Sequence, residues 1–162
     1  MRWSLKKITR LVDSNDSTEA LNDALVAAAV CRREDIVLLL LDRGVNINVV
    51  VHEYGTALAG AAIKGHTDIV SLLLDRGADI DAAFKGHTNT VPRRLDHGAD
   101  TDMVVGSEYG TALAAAAFSG SKDTVSLLLD RGAKINMVVG GKYGTALAAA
   151  ASRGNKDMCH CC

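Results

Sequence analysis

One pentapeptide, Tyr-Gly-Thr-Ala-Leu, occurs three times in this chain, and its spacing constrains the fold more than any other feature. The copies begin at Tyr54, Tyr109 and Tyr143. The last two copies lie 34 residues apart, whereas the first two lie 55 apart. Self-similarity at a period of 20 to 50 residues is typical of repeat arrays, so the sequence predicts stacked units and not one conventional core.

A second marker explains the longer interval. The tripeptide Asp-Arg-Gly, with His replacing Arg in one copy, begins at Asp42, Asp75, Asp96 and Asp130. The successive intervals are 33, 21 and 34 residues. The period is therefore 33 to 34 residues, and one unit is shortened.

Each full unit reads as two short helices, best seen in the second unit. The first helix is predicted over 56–64, with Thr56 as its N-cap and Gly65 as a left-handed stop. Its inward stripe is Leu58, Ala61 and Ala62. The second helix is predicted over 68–76, ending at Gly77, with an inward stripe of Val70, Leu73 and Leu74. One such unit cannot bury its stripes alone, but stacked neighbours can.

The string from Gly55 to Asp81 resembles an ankyrin repeat, and the resemblance extends from about Asn22 to Asp157. It implies an all-α solenoid of stacked helix-turn-helix units with short β-hairpin-like fingers. The Tyr-Gly-Thr-Ala-Leu form is similar to repeats common in filamentous fungi. The usual Thr-Pro-Leu-His of the family is replaced here by Thr-Ala-Leu-Ala, which predicts a softer array because the stiffening proline is lost.

The chain divides into three parts on this view. Residues 1–19 form a capping or remnant helix, although their basic amphipathic pattern also fits a targeting or membrane-surface helix. Residues 20–158 form an array of about five units, in which Asp23 replaces the capping Thr of the first unit and the last unit is incomplete. Residues 159–162 form a Cys-rich tail.

The third unit, residues 82–102, lacks thirteen residues relative to its neighbours. Pro92 interrupts its second helix, and Arg94 stands where an inward Leu is expected. Burying an unpaired guanidinium is costly, so this unit is predicted to open and to split the array into two weak blocks.

The composition narrows the function classes. A formal net charge of −1 argues against a nucleic-acid binder, and no apolar run approaches the roughly 18 residues of a membrane span. No phosphate loop or catalytic set is recognisable, so we expect no enzyme and no cofactor. Tetrahedral zinc is not expected at the tail, because its candidate ligands are adjacent residues: Cys159, His160, Cys161 and Cys162. The pattern of cysteines favours an intracellular location, cytoplasmic or nuclear.

The resemblance implies a non-catalytic module that binds another protein, as part of a larger signalling or scaffold protein. The alternative is a decayed or truncated fragment with only a structural role. In such arrays the partner lies along the finger tips and the first-helix ends. Here those positions are His52, Glu53, Ile63, Lys64, Ser107, Glu108, Phe118, Ser119, Lys142, Ser152 and Arg153.

Two alternatives remain open at this surface. Phe118 is either an exposed anchor for the partner or a filler of the groove between units. The apolar finger segments beginning at Val49, Met103 and Met137 are either exposed patches or short hairpins that bury one face.

Overall fold

Seven α-helices make up the regular structure of residues 18–51, 55–81, 110–138 and 143–154, the parts of the chain that this computed structural model describes. In chain order they are α1 (Thr18–Val30), α2 (Glu34–Asp42), α3 (Ala57–Ile63), α4 (Thr67–Asp75), α5 (Ala112–Ser119), α6 (Lys122–Asp130) and α7 (Ala146–Ser152). Within these ranges β-pairing is limited to one isolated antiparallel bridge between Val51 and Gly55. The predicted all-α repeat architecture is confirmed.

Consecutive helices pack in pairs, α1 with α2, α3 with α4 and α5 with α6, and α7 is the last helix of the described residues. We call α1, α3, α5 and α7 the inner helices, and α2, α4 and α6 the outer helices. The inner helices pack side by side in chain order, and α4 packs on α6. Each unit thus buries its apolar faces against its neighbours.

Threonine side chains start three of the inner helices, as the sequence predicts for Thr56. The hydroxyls of Thr56, Thr111 and Thr145 each accept a hydrogen bond of 3.2 Å from the backbone N–H three residues on. Each bond satisfies a donor that the first helical turn leaves without a partner. Gly65 follows α3 at φ +69°, the left-handed conformation expected of a helix stop.

The first unit begins differently from the prediction. Asp23 is not a cap, because α1 begins upstream at Thr18 and carries Asp23 in its middle as an exposed side chain. The preceding segment, Thr-Glu-Ala-Leu-Asn, contains good helix formers. It also places Glu19 in the first turn, where its negative charge interacts favourably with the helix dipole. Local propensity therefore extends this helix beyond the repeat pattern.

The core is aliphatic and rich in alanine. All six residues of α5 from Ala112 to Ala117 are buried, as are the predicted positions Leu58, Ala61 and Ala62 of α3. In α4, Val70 and Leu73 are buried and Leu74 is half-buried. Alanine lets neighbouring inner helices approach closely, so this array needs few large side chains between its layers.

The second helix pair stacks directly on the third, which corrects the expectation of a split array. The inner helices α3 and α5 pack together, and the Oγ1 atoms of Thr67 in α4 and Thr124 in α6 are 3.0 Å apart. Arg131 reaches Asp75 just as Arg76 reaches Asp42 one unit earlier. The small apolar faces of α3 and α5 fit each other as those of consecutive repeats do. Residues 82–109, which include Pro92 and Arg94, lie outside the described residues.

Candidate binding surface

The predicted binding positions at the ends of the inner helices lie in one row. We call this row the inner edge, and it comprises Ile63, Lys64, Phe118, Ser119, Ser152 and Arg153. Because α3, α5 and α7 pack side by side, their C-terminal ends are brought together without an intervening unit. The predicted finger positions His52, Glu53, Ser107, Glu108 and Lys142 lie outside the described residues.

Phe118 is the centre of an aromatic cluster that joins two units. Its ring centroid lies 5.4 Å from that of Tyr143, at an interplanar angle of 32°. The guanidinium carbon of Arg153 lies 4.4 Å from the Phe118 centroid, a cation–π distance. The ring is half-buried, and it fills a groove between units instead of standing free.

Sequence reasoning did not select Tyr143, the ring that covers Phe118. Tyr143 opens the third pentapeptide copy, so its recurrence served only as a marker of the period. An aromatic residue at this fixed place in every copy, in a chain with 4% aromatic residues, was the signal that could have found it.

Two inner-edge residues also hold the array together. The Ser119 hydroxyl donates to the Ala116 carbonyl at 2.9 Å and lies 3.5 Å from the Ala62 carbonyl of the neighbouring inner helix. Ile63 is half-buried against the core. Substitution of either residue would therefore affect the stack as well as any partner.

The inner edge carries two cations that no carboxylate neutralises within the described ranges. Lys64 and Arg153 are both exposed, and neither forms an ion pair there. The inner-edge positions include no acidic residue. This surface is thus positive and partly apolar.

The opposite edge of the array is neutralised by ion pairs between successive units. Arg76 approaches Asp42 at 3.3 Å, and Arg131 approaches Asp75 at 2.8 Å. Sequence reasoning used Asp-Arg-Gly only as a period marker and missed this ladder. The adjacent Asp and Arg, repeated at one period, allow each Arg to reach the Asp of the preceding unit.

Two further contacts link the first and second units. Arg32 donates to Asp68 at 2.8 Å, and this hydrogen bond lowers the pKa of Asp68. His66 Nε2 lies 3.0 Å from the Val30 carbonyl, so this side chain joins the end of α1 to the start of α4. At the start of α2, a similar bond from the preceding Arg33 lowers the pKa of Asp35.

The first finger pairs with itself. Val51 and Gly55 exchange two backbone hydrogen bonds of 2.9 and 3.0 Å. Val49 and Val51 are half-buried against the core, whereas Val50 is 46% exposed. This finger therefore buries one face and exposes the other, which favours the hairpin interpretation there.

The described residues offer little for other chemistry. They contain no group of three or more His, Cys, Asp or Glu side chains placed to hold a metal ion. None of their helices is long and apolar enough to cross a membrane. Cys31 lies one residue beyond α1 and is exposed and free. The tail residues Cys159–Cys162 lie outside the described ranges.

Stacked helix pairs with capped inner helices and linking fingers define a helical repeat protein. The family model described as "Ankyrin repeats (3 copies)" matches residues 4–83 and 80–161. The chain belongs to this ankyrin repeat family, whose members generally serve as protein–protein interaction modules. A comparison with curated proteins found no match.

Proposed function

We propose that this chain is a non-catalytic protein-interaction module whose partner docks along the inner edge. One observation carries the proposal: the inner edge combines unneutralised cations with a half-buried aromatic ring, whereas the opposite edge pairs its charges internally. A partner that approaches the paired edge must compete with existing ion pairs. A partner on the inner edge meets two exposed cations that form no ion pair within the described ranges.

The chemistry of the inner edge defines the partner surface that fits it. Carboxylates facing Lys64 and Arg153 would form the charged contacts, and an apolar side chain would pack beside Phe118 and Ile63. Arg153 already lies on the Phe118 ring, so part of its ordering cost is met before binding. We therefore propose an acidic protein surface with at least one apolar anchor as the partner.

The module is proposed to act within a larger signalling or scaffold protein, since a surface of this kind recruits a partner and carries no reaction. An intracellular location, cytoplasmic or nuclear, fits the exposed and unpaired thiol of Cys31. The decayed-fragment alternative predicts that no partner recognises the inner edge at all.

The test is a capture experiment with residues 1–162 as bait in an extract of the source cell. The charge-reversal variant Lys64→Glu/Arg153→Glu should lose the captured protein. The control, Arg43→Glu/Lys134→Glu, makes the same change in net charge at exposed positions away from the inner edge; because it also breaks the Lys134–Asp81 ion pair, circular dichroism verifies its fold. This control should retain the captured protein.

The salt dependence of the interaction gives a second measure. Binding of the purified partner should weaken as salt rises from 0.05 to 0.5 M, because exposed charge pairs are screened (roughly, the Debye length falls severalfold over this range). Equal losses in both variants would place the partner elsewhere. Capture of no protein above a bare support would favour the decayed-fragment alternative.

A further inference from the structure

The two cations of the inner edge, Lys64 and Arg153, occupy equivalent places in their units. Each directly precedes a glycine with left-handed backbone, Gly65 at φ +69° and Gly154 at φ +67°. Both side chains are exposed, and neither forms an ion pair within the described ranges. What distinguishes the two cations is the side chain that the preceding unit places beside each of them.

Arg153 has an aromatic ring beside it, and Lys64 does not. The guanidinium carbon of Arg153 lies 4.4 Å from the centroid of Phe118, in the neighbouring inner helix α5. Phe118 stands two residues before the left-handed Gly120. In the unit that precedes Lys64, the same place is taken by Val30. A valine offers no ring to attract an ammonium group, so Lys64 lacks the contact that holds Arg153.

Tyr143 holds the Phe118 ring in place. The centroids of the two rings lie 5.4 Å apart, and Tyr143 is half-buried against the core. Tyr143 precedes α7 and Arg153 follows it, so residues at both ends of one helix contact the same ring of the neighbouring helix. The ring is thus fixed under the guanidinium by a side chain that itself carries no charge.

A guanidinium binds a carboxylate differently from an ammonium group. Its N–H donors form a rigid planar fork that matches the two oxygens of a carboxylate, whereas an ammonium group acts as a point charge. Arg153 donates no hydrogen bond to any other residue of the described ranges, and its contact there is the ring. A fork that is ordered before binding loses less entropy when a carboxylate binds.

We propose that Arg153 is the specificity-determining residue of the inner edge and binds one side-chain carboxylate of the partner in a bidentate pair. Tyr143 is the positioning residue, because it keeps Phe118 under the guanidinium. The assignment rests on the proposed function, since it names the group of the partner that the inner edge recognises. Lys64 contributes charge attraction without this geometry.

Proton nuclear magnetic resonance of the full chain tests the positioning role without a ligand. The ring current of Phe118 should shift the side-chain protons of Arg153 upfield. Tyr143→Leu should reduce this shift, whereas Tyr143→Phe, which retains the ring, should preserve it. Circular dichroism verifies that both variants remain folded. An upfield shift that Tyr143→Leu leaves intact would overturn the role of Tyr143.

Titration with a short acidic peptide tests the recognition. The probe is acetyl-Glu-Leu-Glu-amide at constant ionic strength, followed by the backbone amide signals of Ser119 and Gly154, and the neutral control is acetyl-Gln-Leu-Gln-amide. Arg153→Lys keeps the charge but loses the fork, so it should raise the Kd about fivefold or more. Tyr143→Leu should raise the Kd as well. The matched variant Lys64→Arg should leave the Kd unchanged.

The outcomes separate this proposal from the proposed function. Equal affinities of the original chain and Arg153→Lys would overturn the bidentate pair, and so would equal binding of the neutral peptide or no signal change near Arg153. The proposed function would still stand in each case, because it fails only if capture survives Lys64→Glu/Arg153→Glu or yields no protein.

Discussion

At the scale of single residues, burial separates side chains that the repeat pattern makes equally apolar. Leu73 is fully buried in α4, whereas Ile63 is half-buried at the end of α3. Leu73→Ala should lower the free energy of unfolding by about 2–5 kcal/mol, the range for a buried leucine. Ile63→Ala should cost only about 1 kcal/mol. Urea unfolding of both variants makes the comparison, and equal losses would contradict the assignment of faces.

A side chain at Gly65 would strain the backbone and would also displace the Ser121 hydroxyl of the neighbouring unit. Its φ of +69° is unfavourable for any other residue, and a Cβ there would lie 2.5 Å from Ser121 Oγ of the neighbouring unit. Gly77, at φ +88°, has no atom within 4 Å of such a Cβ. Gly77→Ala should therefore cost about 1 kcal/mol from backbone strain, and Gly65→Ala should cost more.

A double-mutant cycle separates the two causes at Gly65. In a Ser121→Ala background the obstructing oxygen is gone, so Gly65→Ala should cost about as much as Gly77→Ala. Thermal or urea unfolding gives both values. An unchanged cost in that background would assign the whole effect to the backbone conformation.

The Arg32–Asp68 pair predicts a small acid sensitivity. The hydrogen bond from Arg32 lowers the Asp68 pKa below its ordinary value of 3.8, so the native state binds this proton less readily than the unfolded chain does. The stabilisation is complete above the unfolded pKa and is lost as the pH falls through the folded pKa. Because the pair is exposed, it contributes at most a few tenths of a kcal/mol.

Nuclear magnetic resonance titration of the Asp68 carboxyl measures this effect directly. Arg32→Gln should raise the Asp68 pKa toward 3.8. The same variant should leave the pKa of Asp35 unchanged, because Arg33 holds that carboxylate. An Asp68 pKa that is unaffected by Arg32→Gln would show that this hydrogen bond does not form in solution.

At the scale of helices, the threonine caps explain why short alanine-rich segments become helical. Thr111 is 6% exposed, and its hydroxyl accepts from the Ala114 N–H. Thr111→Ala should cost about 1 kcal/mol, whereas Thr111→Ser keeps the hydroxyl and should cost less. Asp23→Ala should be neutral, because Asp23 lies inside α1 and caps nothing. Urea unfolding compares the three variants, and a large loss for Asp23→Ala would restore it as a cap.

The features of this fold that the sequence predicts are the helix caps and buried positions that local interactions set in each repeat. Thr56 and Gly65 mark the limits of α3 within one residue or so, and Leu73 falls on the buried face as its spacing requires. The prediction of Asp23 as a helix cap was wrong because the helix propensity of residues 18–22 places the start of α1 further upstream. The recurrence of Tyr could have marked Tyr143 as a candidate, but its contact with Phe118 could not be predicted, since that contact joins two units whose relative placement depends on the whole stack.

At the scale of the whole molecule, direct stacking determines cooperativity. A repeat array gains its stability from interfaces between neighbours, so two blocks joined by a real interface unfold together. The interface between α3/α4 and α5/α6 has the same kinds of contact as the one before it, including the Arg131–Asp75 pair. The array should therefore unfold in one transition and not in two weak steps.

Deletion of residues 82–102 tests this directly. It joins Asp81 to Met103 and leaves seven residues before Gly110, the number that joins Asn136 to Gly144 in the next unit. The deletion shortens the connection across an existing interface from 28 to seven residues, two halvings. Since each halving of a loop lowers the closure cost by about 0.6 kcal/mol, the free energy of unfolding should rise by about 1 kcal/mol. Urea unfolding followed by circular dichroism and by Tyr fluorescence should give one coincident transition before and after the deletion. A lower midpoint after deletion would mean that residues 82–102 contribute packing that the loop-closure gain does not offset.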